Sequence, residues 1–561
     1  MHLIFRGALE KMGYCCIIIS LMRNNVVVAR KRHIIMALLV VVFAVFFQIS
    51  CNKGGSKDRS SGQLAEKSND ALGHNRTEAE DALVIAVSED INQLDLLLQN
   101  DQINQNCFAL THSVLIAANH DKMEMIPVLA KSWKWLDPTH LELALDGRAR
   151  FSTGNPVLPD DVVFTLERAM SADPAISIWS STLANVEKVE VVGKLKVLIT
   201  LKKVDDDFLY TLSDRSLSIQ SRKAYEDPNN KEPWLVGSGR YVFKKWEPGK
   251  RVVFERVKRY WGDDPGVAPT MVFIPVPDAS ERLRMLLDGE VDVCLDLSAE
   301  GLKKLKWNND VDIFQKDGSK LFYMGFNVSR PPFDDINLRR AVSCAIDKNA
   351  IVMQALGGLG KWQTSVLNRG NWSFLDNTEI DGYKYDPERA AELIGGSGYS
   401  KGVSVVMHVP SSDPFGRVAE MIRSDLKKIG VDVEFKILDE ASLKAECKEG
   451  KAQCFLTSWN VIGRIDECYR DLFYTGGAAN YHHLSDPKVD KLTDEVRSEP
   501  DMENRMELSH ELQRYHADIV VQVPLYVSDM VVVSRKGLKG ALLNGGGQHD
   551  WSRAHIETQA R

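Results

Sequence analysis

The chain has 561 residues, of which 44% are hydrophobic and 26% are charged, and it contains nine cysteines. These are values of a globular protein of two to four domains, so they exclude a mainly disordered chain, a collagen and a small disulfide scaffold. Residues 1–50 carry six basic residues and one acidic residue, which leaves 64 basic and 76 acidic residues, a net charge of −12, on the remainder. An acidic body repels phosphate backbones, so we expect no nucleic-acid partner.

Residues 1–50 have the pattern of an export signal. Ile34 to Phe47 form an uncharged apolar run of fourteen residues behind the basic residues 30–32, shorter than the roughly 20 residues of a membrane span. Ser50 and Cys51 follow, which resembles the lipobox of bacterial lipoproteins, with Gln48 in place of the usual leucine. We expect cleavage before Cys51 and lipid on its thiol. An uncleaved anchor with an incidental cysteine is the alternative.

The predicted signal is unusually long at its start, and a polar segment follows it. Met22 is the predicted true start, because Met36 would discard the positive charges. Residues 51–81 are rich in Gly, Ser, Asn and charged residues and poor in large apolar residues. This composition predicts a flexible, lipidated tether, which would span roughly 30 Å.

The body alternates predicted strands and helices, which is typical of α/β lobes. Apolar runs and alternation predict strands, and apolar residues at a spacing of three to four predict helices. In chain order we expect strands at 83–87 and 142–149, a helix at 160–170, a hairpin at 189–201 about Gly193, a strand at 252–257, helices at 281–287 and 419–428, and a strand at 431–437.

No catalytic, metal or cofactor site is predicted. The segment Gly357 to Trp362 is not a phosphate loop, because Ala355 stands at the first glycine position and Trp362 replaces the Ser or Thr that binds Mg²⁺. His510 has Arg514 rather than histidine four residues later. The adjacent pair at 482–483 cannot readily share one metal ion.

Six cysteines remain after Cys51, and an even number in an exported protein permits disulfides. Cys447 and Cys454 bracket Gly450 and could face each other across a hairpin. Buried free thiols are the alternative, which we prefer for Cys294 and Cys344 because they lie in apolar segments.

Seven segments follow one another in a fixed order: Ile126–Trp135, Leu158–Met170, Val236–Gly262, Leu287–Val293, Phe326–Ile351, Tyr385–Pro387 and Val523–Tyr526. Together they resemble the large solute-binding proteins of ABC importers, the family (family 5) of the oligopeptide, dipeptide and nickel receptors. The resemblance runs from about residue 83 to 540.

The resemblance implies an α/β, two-lobed periplasmic-binding-protein fold of type II, in the large three-domain form, with a hinge and an interlobe ligand cleft. Lobe I would comprise 82–110, 200–296 and 524–561, the inserted domain 111–199, and lobe II 297–523. The implied function is an ABC-importer receptor that needs no cofactor, acts as a monomer, is held to the bilayer through Cys51 and docks on a membrane permease.

The resemblance also points to the ligand site. Oligopeptide-binding members have a Trp followed three residues later by an Asp that pairs with the peptide α-ammonium. Here the Trp is Trp459, but the residue three positions later is Ile462, and Asp466 lies four further on. Arg464 adds a cation, which favours a ligand with a carboxylate or without a free α-amine. The alternative for Arg464 is an ion pair with Asp466 or Glu467.

Four further residues complete the predicted ligand site: Asn460, Tyr323, Asn327 and Asn106. A core role is the alternative for Trp459. We expect a peptide ligand, and a metal chelate, a modified peptide or a sugar is the alternative. An exported hydrolase would need a nucleophile–base pair that the sequence does not display. A sensor or adhesin could reuse the same fold.

Overall fold

The structure is a computed structural model. It describes residues 81–98, 101–119, 124–205, 207–369, 371–380, 382–460 and 465–557, with the backbone alone at 465–467. The predicted signal, Cys51 and the tether lie outside these residues.

The described strands are β1 Ala82–Val87, β2 Ile116–Asn119, β3 Glu124–Pro127, β4 Ala130–Asp137, β5 His140–Leu145, β6 Val186–Gly193, β7 Lys196–Leu201, β8 Tyr241–Glu247, β9 Arg251–Arg256, β10 Thr270–Pro275, β11 Val293–Leu295, β12 Val311–Lys316, β13 Lys320–Phe326, β14 Gly360–Trp362, β15 Val403–Pro410, β16 Val431–Leu438, β17 Cys454–Asn460, β18 Gln522–Ser528, β19 Met530–Arg535, β20 Leu538–Lys539 and β21 His555–Ile556.

The described α-helices are α1 Gln102–Thr111, α2 Pro159–Ala169, α3 Phe208–Leu212, α4 Arg222–Glu226, α5 Ala279–Leu287, α6 Ala299–Leu305, α7 Ile336–Ala345, α8 Lys348–Ala355, α9 Pro387–Gly395, α10 Phe415–Lys427, α11 Glu440–Lys448, α12 Ile465–Leu472, α13 Pro487–Ser498 and α14 Met502–Ile519.

The first large sheet has seven strands in the order β12-β19-β11-β1-β10-β9-β8. Its centre, β1, runs parallel to both β10 and β11. Both faces of β1 are covered: Leu83 and Ile85 pack in one apolar cluster, and Val84 and Ala86 pack in the cluster on the other face. A strand buried on both faces needs a continuous apolar sequence, which is why the predicted strand at 83–87 is confirmed.

The second large sheet has six strands in the order β14-β18-β13-β17-β15-β16. Helices cover both faces. Apolar residues of α7 to α10 pack with one face, and apolar residues of α11 to α14 pack with the other. The helix α10 connects the parallel strands β15 and β16 and buries Val418, Ile422 and Leu426, one face of the helix, so the prediction of a helix followed by a strand here is confirmed.

A smaller antiparallel sheet has the order β4-β5-β7-β6 and packs against α2. The hairpin about Gly193 and the helix predicted at 160–170 are both confirmed. The carboxylate of Asp161 accepts backbone N–H groups from Leu158 over 2.8 Å and from Arg222 over 2.9 Å, which fixes the start of α2. The strand predicted at 142–149 instead ends at Leu145.

All six cysteines from Cys107 onward are buried free thiols, so the suggested Cys447–Cys454 disulfide is wrong. Cys447 lies in α11 rather than in a hairpin, and Cys454 begins β17. Burial raises the pKa of Cys447 to about 12, so its sulfur stays a protonated thiol.

Two strands lie in a different large sheet from the one expected for the lobe to which the sequence analysis assigned them. Residues 311–316 form β12 of the first sheet, although the prediction placed them in lobe II. Residues 524–528 belong to β18 of the second sheet, although the prediction placed them in lobe I.

Candidate functional site

The chain passes between the two large sheets at two short crossings that lie side by side. Residues 317–319 connect β12 with β13, and Asp529 connects β18 with β19. Gly318 permits the close contact of the crossings, because a Cβ atom on it would lie 1.9 Å from the carbonyl oxygen of Ser528. Two adjacent short connections of this kind act as a hinge between the sheets.

A glycine-rich loop near the C-terminus, residues 544–550, lies against the first crossing. Ser319 donates its backbone N–H to the carbonyl oxygen of Gly545 over 3.1 Å. A Cβ atom on Gly545 would lie 2.1 Å from the carbonyl oxygen of Asp317, so glycine is required for this approach. The loop therefore covers the hinge.

The far end of this loop is bound by Arg215. Its guanidinium donates to the carbonyl oxygens of Gln548 and His549, each over 2.9 Å. Although Arg215 as a whole is half-buried, its guanidinium is enclosed by protein, and this desolvation lowers its pKa. The planar donor group holds two carbonyls at once, which a lysine ammonium cannot do with the same geometry.

Side chains from both large sheets meet on the loop, and we call Gln102, Asn106, Asn460 and residues 544–550 the seam. From α1, which packs on the first sheet, Gln102 donates to the carbonyl oxygen of Gly546. Asn106 on the same helix donates to the carbonyl oxygen of residue 547 over 3.1 Å. From the end of β17 in the second sheet, Asn460 donates to Gly546 over 3.4 Å.

Charged side chains from both sheets lie near Glu89, which follows β1. Glu89 is exposed, yet the protein around its carboxyl group desolvates it enough to raise its pKa. The ammonium of Lys320 opposes that rise, and the carboxylates of Asp101 and Glu440 add to it. Glu440 begins α11 of the second sheet, so the charges come from both sides of the hinge.

A small pocket, partly open to solvent, lies beside the crossings. It is lined by Asp317, Gly318, Lys361, Gln363, Arg369, Val527 and Asp529. Lys361 and Asp317 form an ion pair of 2.6 Å. The guanidinium of Arg369 lies 5.6 Å from the ring centre of Phe374. The space next to the hinge is thus polar and charged.

Within the described ranges, no three His, Cys, Asp or Glu side chains are grouped so that they could hold a metal ion. Among the same residues, no helix has both the length and the apolar character that crossing a membrane requires.

The sequence model of the bacterial extracellular solute-binding proteins, family 5, matches residues 124–481, which is more than half of the chain. The chain belongs to this family. Its two large sheets, hinge and smaller sheet are the two-lobed fold of these proteins, and we refer below to the first and second lobes.

Relatives of this family 5 protein are similar over most of their length. The dipeptide-binding protein of Escherichia coli is 25% identical over 468 residues, 77% of this chain and 86% of the relative. Heme-binding protein A of Haemophilus influenzae is 28% identical over 433 residues, 71% of this chain and 78% of the relative. The crystal structure of a Pseudoalteromonas dipeptide-binding protein with Met-Leu has a TM-score of 0.76 at 20% identity, covering 85% of this chain and all of that one.

The structure brings two of the predicted ligand residues of this family 5 protein together at the seam. Asn460 is exposed. Its side-chain amide donates to Gly546, and its side-chain oxygen accepts a hydrogen bond from the Ser319 hydroxyl over 2.5 Å. Asn106 is buried, and its side-chain oxygen also accepts a hydrogen bond from Arg215 over 3.4 Å. A ligand contact for either residue stays a prediction.

Two other predicted residues lie in or against the core of the second lobe. Tyr323 is 1% exposed and packs beside Phe455 and His482, and burial raises the pKa of its hydroxyl well above the usual value. Trp459 is half-buried and packs against the same cluster, so its core alternative fits this structure.

Asn327 organises a turn in the second lobe. Its oxygen accepts from the backbone N–H of Ser329 over 3.1 Å and from the Ser329 hydroxyl over 2.7 Å. Its amide donates to the carbonyl oxygen of Gly450 over 3.4 Å. These contacts give Asn327 a structural role, and a ligand contact for it remains a prediction.

The rest of the predicted site cannot be placed by side chain. Ile462 and Arg464 lie outside the described residues, and for Asp466 the backbone alone is described, in α12. The sequence analysis did not single out Glu89, Gln102, Arg215 or the loop at 544–550. The run of three glycines at 545–547 was the signal for that loop, because such a run marks a close backbone approach.

Proposed function

We propose that this chain is a lipid-anchored extracytoplasmic receptor of an ABC importer, which captures a peptide between its lobes and delivers it to a membrane permease. The observation that carries the proposal is the seam, where Asn460 of the second lobe and Asn106 of the first lobe bind one loop beside the hinge. A ligand at such a place contacts both lobes only when they are together, so binding favours the closed state.

The proposed lobes follow the crossings of the chain. The first lobe is built from 82–110, 200–316 and 530–561, the inserted domain from 111–199, and the second lobe from 320–528. These limits differ from the predicted ones at 297 and 524, because β12 pairs within the first large sheet and β18 within the second. We expect the receptor to act as a monomer and to catalyse no reaction.

The proposed cargo is a peptide with a free α-ammonium. The dipeptide-binding relative supports the cargo class. A buried ammonium needs a carboxylate partner, which Ile462 cannot supply. We assign this role to Glu89, an exposed carboxylate after β1 that lies near the Lys320 ammonium and near the Asp101 and Glu440 carboxylates.

The proposed anchor is lipid on Cys51. It rests on the apolar run that precedes this cysteine and on the polar tether that follows it. The tether would let the receptor stand clear of the bilayer and reach its permease.

Native mass spectrometry of residues 52–561, purified without lipid from a rich medium, tests the cargo. We expect a ladder of peptide masses that is lost on denaturation. A single non-peptide mass would replace the peptide by another ligand, such as a metal chelate, a modified peptide or a sugar. An empty protein that a peptide mixture does not stabilise would contradict the peptide receptor and favour a sensor or an adhesin.

A further inference from the structure

Two ion pairs, away from the seam, connect the second lobe to the start of the first-lobe segment that follows the inserted domain. The Arg497 guanidinium lies 2.8 Å from the Asp205 carboxylate, and the Arg505 guanidinium lies 2.6 Å from that of Asp207. Both acids come from the segment between β7 and α3, and the arginines come from α13 and α14.

The partners of each pair pack in different cores. Phe208 and Leu212, which follow the two acids, belong to the core of the four-stranded sheet. Val496 and Leu512, which flank the two arginines, belong to a core of the second lobe. The ion pairs therefore connect the core of the four-stranded sheet with a core of the second lobe.

The charged side chains of these ion pairs are largely buried, although each pair connects two separate cores. The side chains of Asp205 and Asp207 are 3% and 6% exposed, and those of Arg497 and Arg505 are 20% and 7% exposed. Arg505 also lies over the ring of Trp372 at 5.2 Å from its centre. A buried charge must be paired, whereas in an open protein each of these groups returns to water.

We propose that the Asp205–Arg497 and Asp207–Arg505 pairs, which we call the latch, set the balance between the open and closed lobes and thereby determine ligand affinity without ligand contact. Desolvation offsets much of the attraction within each pair, so the latch adds a moderate preference for closure. Removing Arg497 leaves the buried Asp205 carboxylate without the Arg497 cation while the lobes are together, which favours opening. The effect of the latch on ligand affinity rests on the proposed function, whereas its effect on the distance between the lobes does not.

The test measures the distance between the lobes in the full chain without added ligand. Nitroxide labels are attached to encoded keto amino acids that replace the exposed Lys194 of the inserted domain and Lys427 of the second lobe. We expect Arg497→Gln to raise the ratio of long to short distances about tenfold, within the usual range of conformational coupling.

Arg340→Gln is the matched control. Arg340 is 21% exposed and forms an ion pair of the same 2.8 Å length, but its partner Asp518 lies in the same lobe. We expect this variant to keep the distance distribution of the parent chain. Melting curves of all variants identify any that fail to fold, and Asp205→Asn then replaces Arg497→Gln.

The double variant Asp205→Asn/Arg497→Gln removes both charges of one pair and should recover part of the closed population. Equal distance distributions in the parent, Arg497→Gln and Arg505→Met would overturn the latch, whether or not a peptide binds. If only the peptide proposal is wrong, mass spectrometry would show no bound peptide, and the distances between the lobes would still respond to the latch variants.

Discussion

At the scale of single residues, Glu89 is the side chain whose charge matters most for the proposed cargo. It lies near Lys320, whose ammonium lowers the pKa of the Glu89 carboxyl, while burial and neighbouring carboxylates raise it. The net pKa is raised, so Glu89 takes up a proton at a higher pH than a glutamate in water does.

Glu89→Gln should weaken binding of the dipeptide probe Met-Leu about tenfold or more, because a charge-assisted hydrogen bond to its ammonium is lost. N-acetyl-Met-Leu should bind parent and variant equally, since it has no ammonium. Titration calorimetry measures both affinities, and Glu300→Gln, which is 84% exposed on α6, is the control. Equal affinities of the parent chain and Glu89→Gln for Met-Leu would contradict this assignment.

The same contact should depend on pH. The ionised carboxylate binds the ammonium, so affinity for Met-Leu should be constant at neutral pH and fall as the pH is lowered through the raised pKa of Glu89. In Glu89→Gln this part of the pH dependence should be absent. An identical acid-side decline in both proteins would assign it to another group.

Single residues also mark the limit of sequence reasoning. The choice of Asn460 and Asn106 depended on a family resemblance, and both reach the seam. Tyr323 carried no local signal of its burial, because its neighbours come from β17 and from a loop more than 100 residues away. The side-chain oxygen of Asn327 accepts a hydrogen bond from Ser329, two residues later, and so forms a local turn. The sequence is compatible with this turn but does not require it.

At the scale of elements, the two crossings between the sheets approach each other closely. Gly318 on one crossing faces the carbonyl oxygen of Ser528 at the end of β18. The helix α2 and the hairpin β6–β7 were predictable because their start and turn are encoded locally, by Pro159 and acidic residues and by Gly193. The pairing of β12 with β19 joins residues more than 200 positions apart, so no local sequence pattern predicts it.

Gly318→Ala should lower the free energy of unfolding by about 1–3 kcal/mol, because a Cβ 1.9 Å from a backbone oxygen forces the crossings apart. Gly416→Ala on α10 is the control, since its Cβ would meet no atom within 4 Å and should be neutral or stabilising by up to about 1 kcal/mol. Urea unfolding measures both. A Gly318→Ala protein as stable as the parent would show that the crossings can separate freely.

At the scale of the whole molecule, the division into two large sheets and a smaller one could be expected from the resemblance, but the exact limits could not. The limits depend on which strands pair across the hinge, and β12 and β18 each continue one sheet past the predicted boundary. Likewise, the ion pair of Arg497 with Asp205 connects residues 292 positions apart, and nothing near either one in the sequence indicates it.

Cys51→Ser should release the receptor from the membrane fraction, because the proposed lipid attachment needs the thiol. Fractionation of cells that express either form, followed by intact mass measurement of the purified chain, tests this. The parent should carry the added mass of lipid at residue 51, and Cys107→Ser, which changes a buried thiol, should leave the fractionation unchanged. An unlipidated but membrane-bound parent would instead favour the uncleaved anchor.

The position of β18 and β19 in the chain has a consequence for biogenesis. Each is an internal strand of its sheet, β18 between β14 and β13 and β19 between β12 and β11, yet both come from residues 522–535, far along the chain from the strands that they pair with. Neither sheet can be completed until this stretch has left the ribosome. The nascent chain therefore stays without finished sheets while the intervening residues are translated, which suits an exported protein, because passage through a translocon precedes folding.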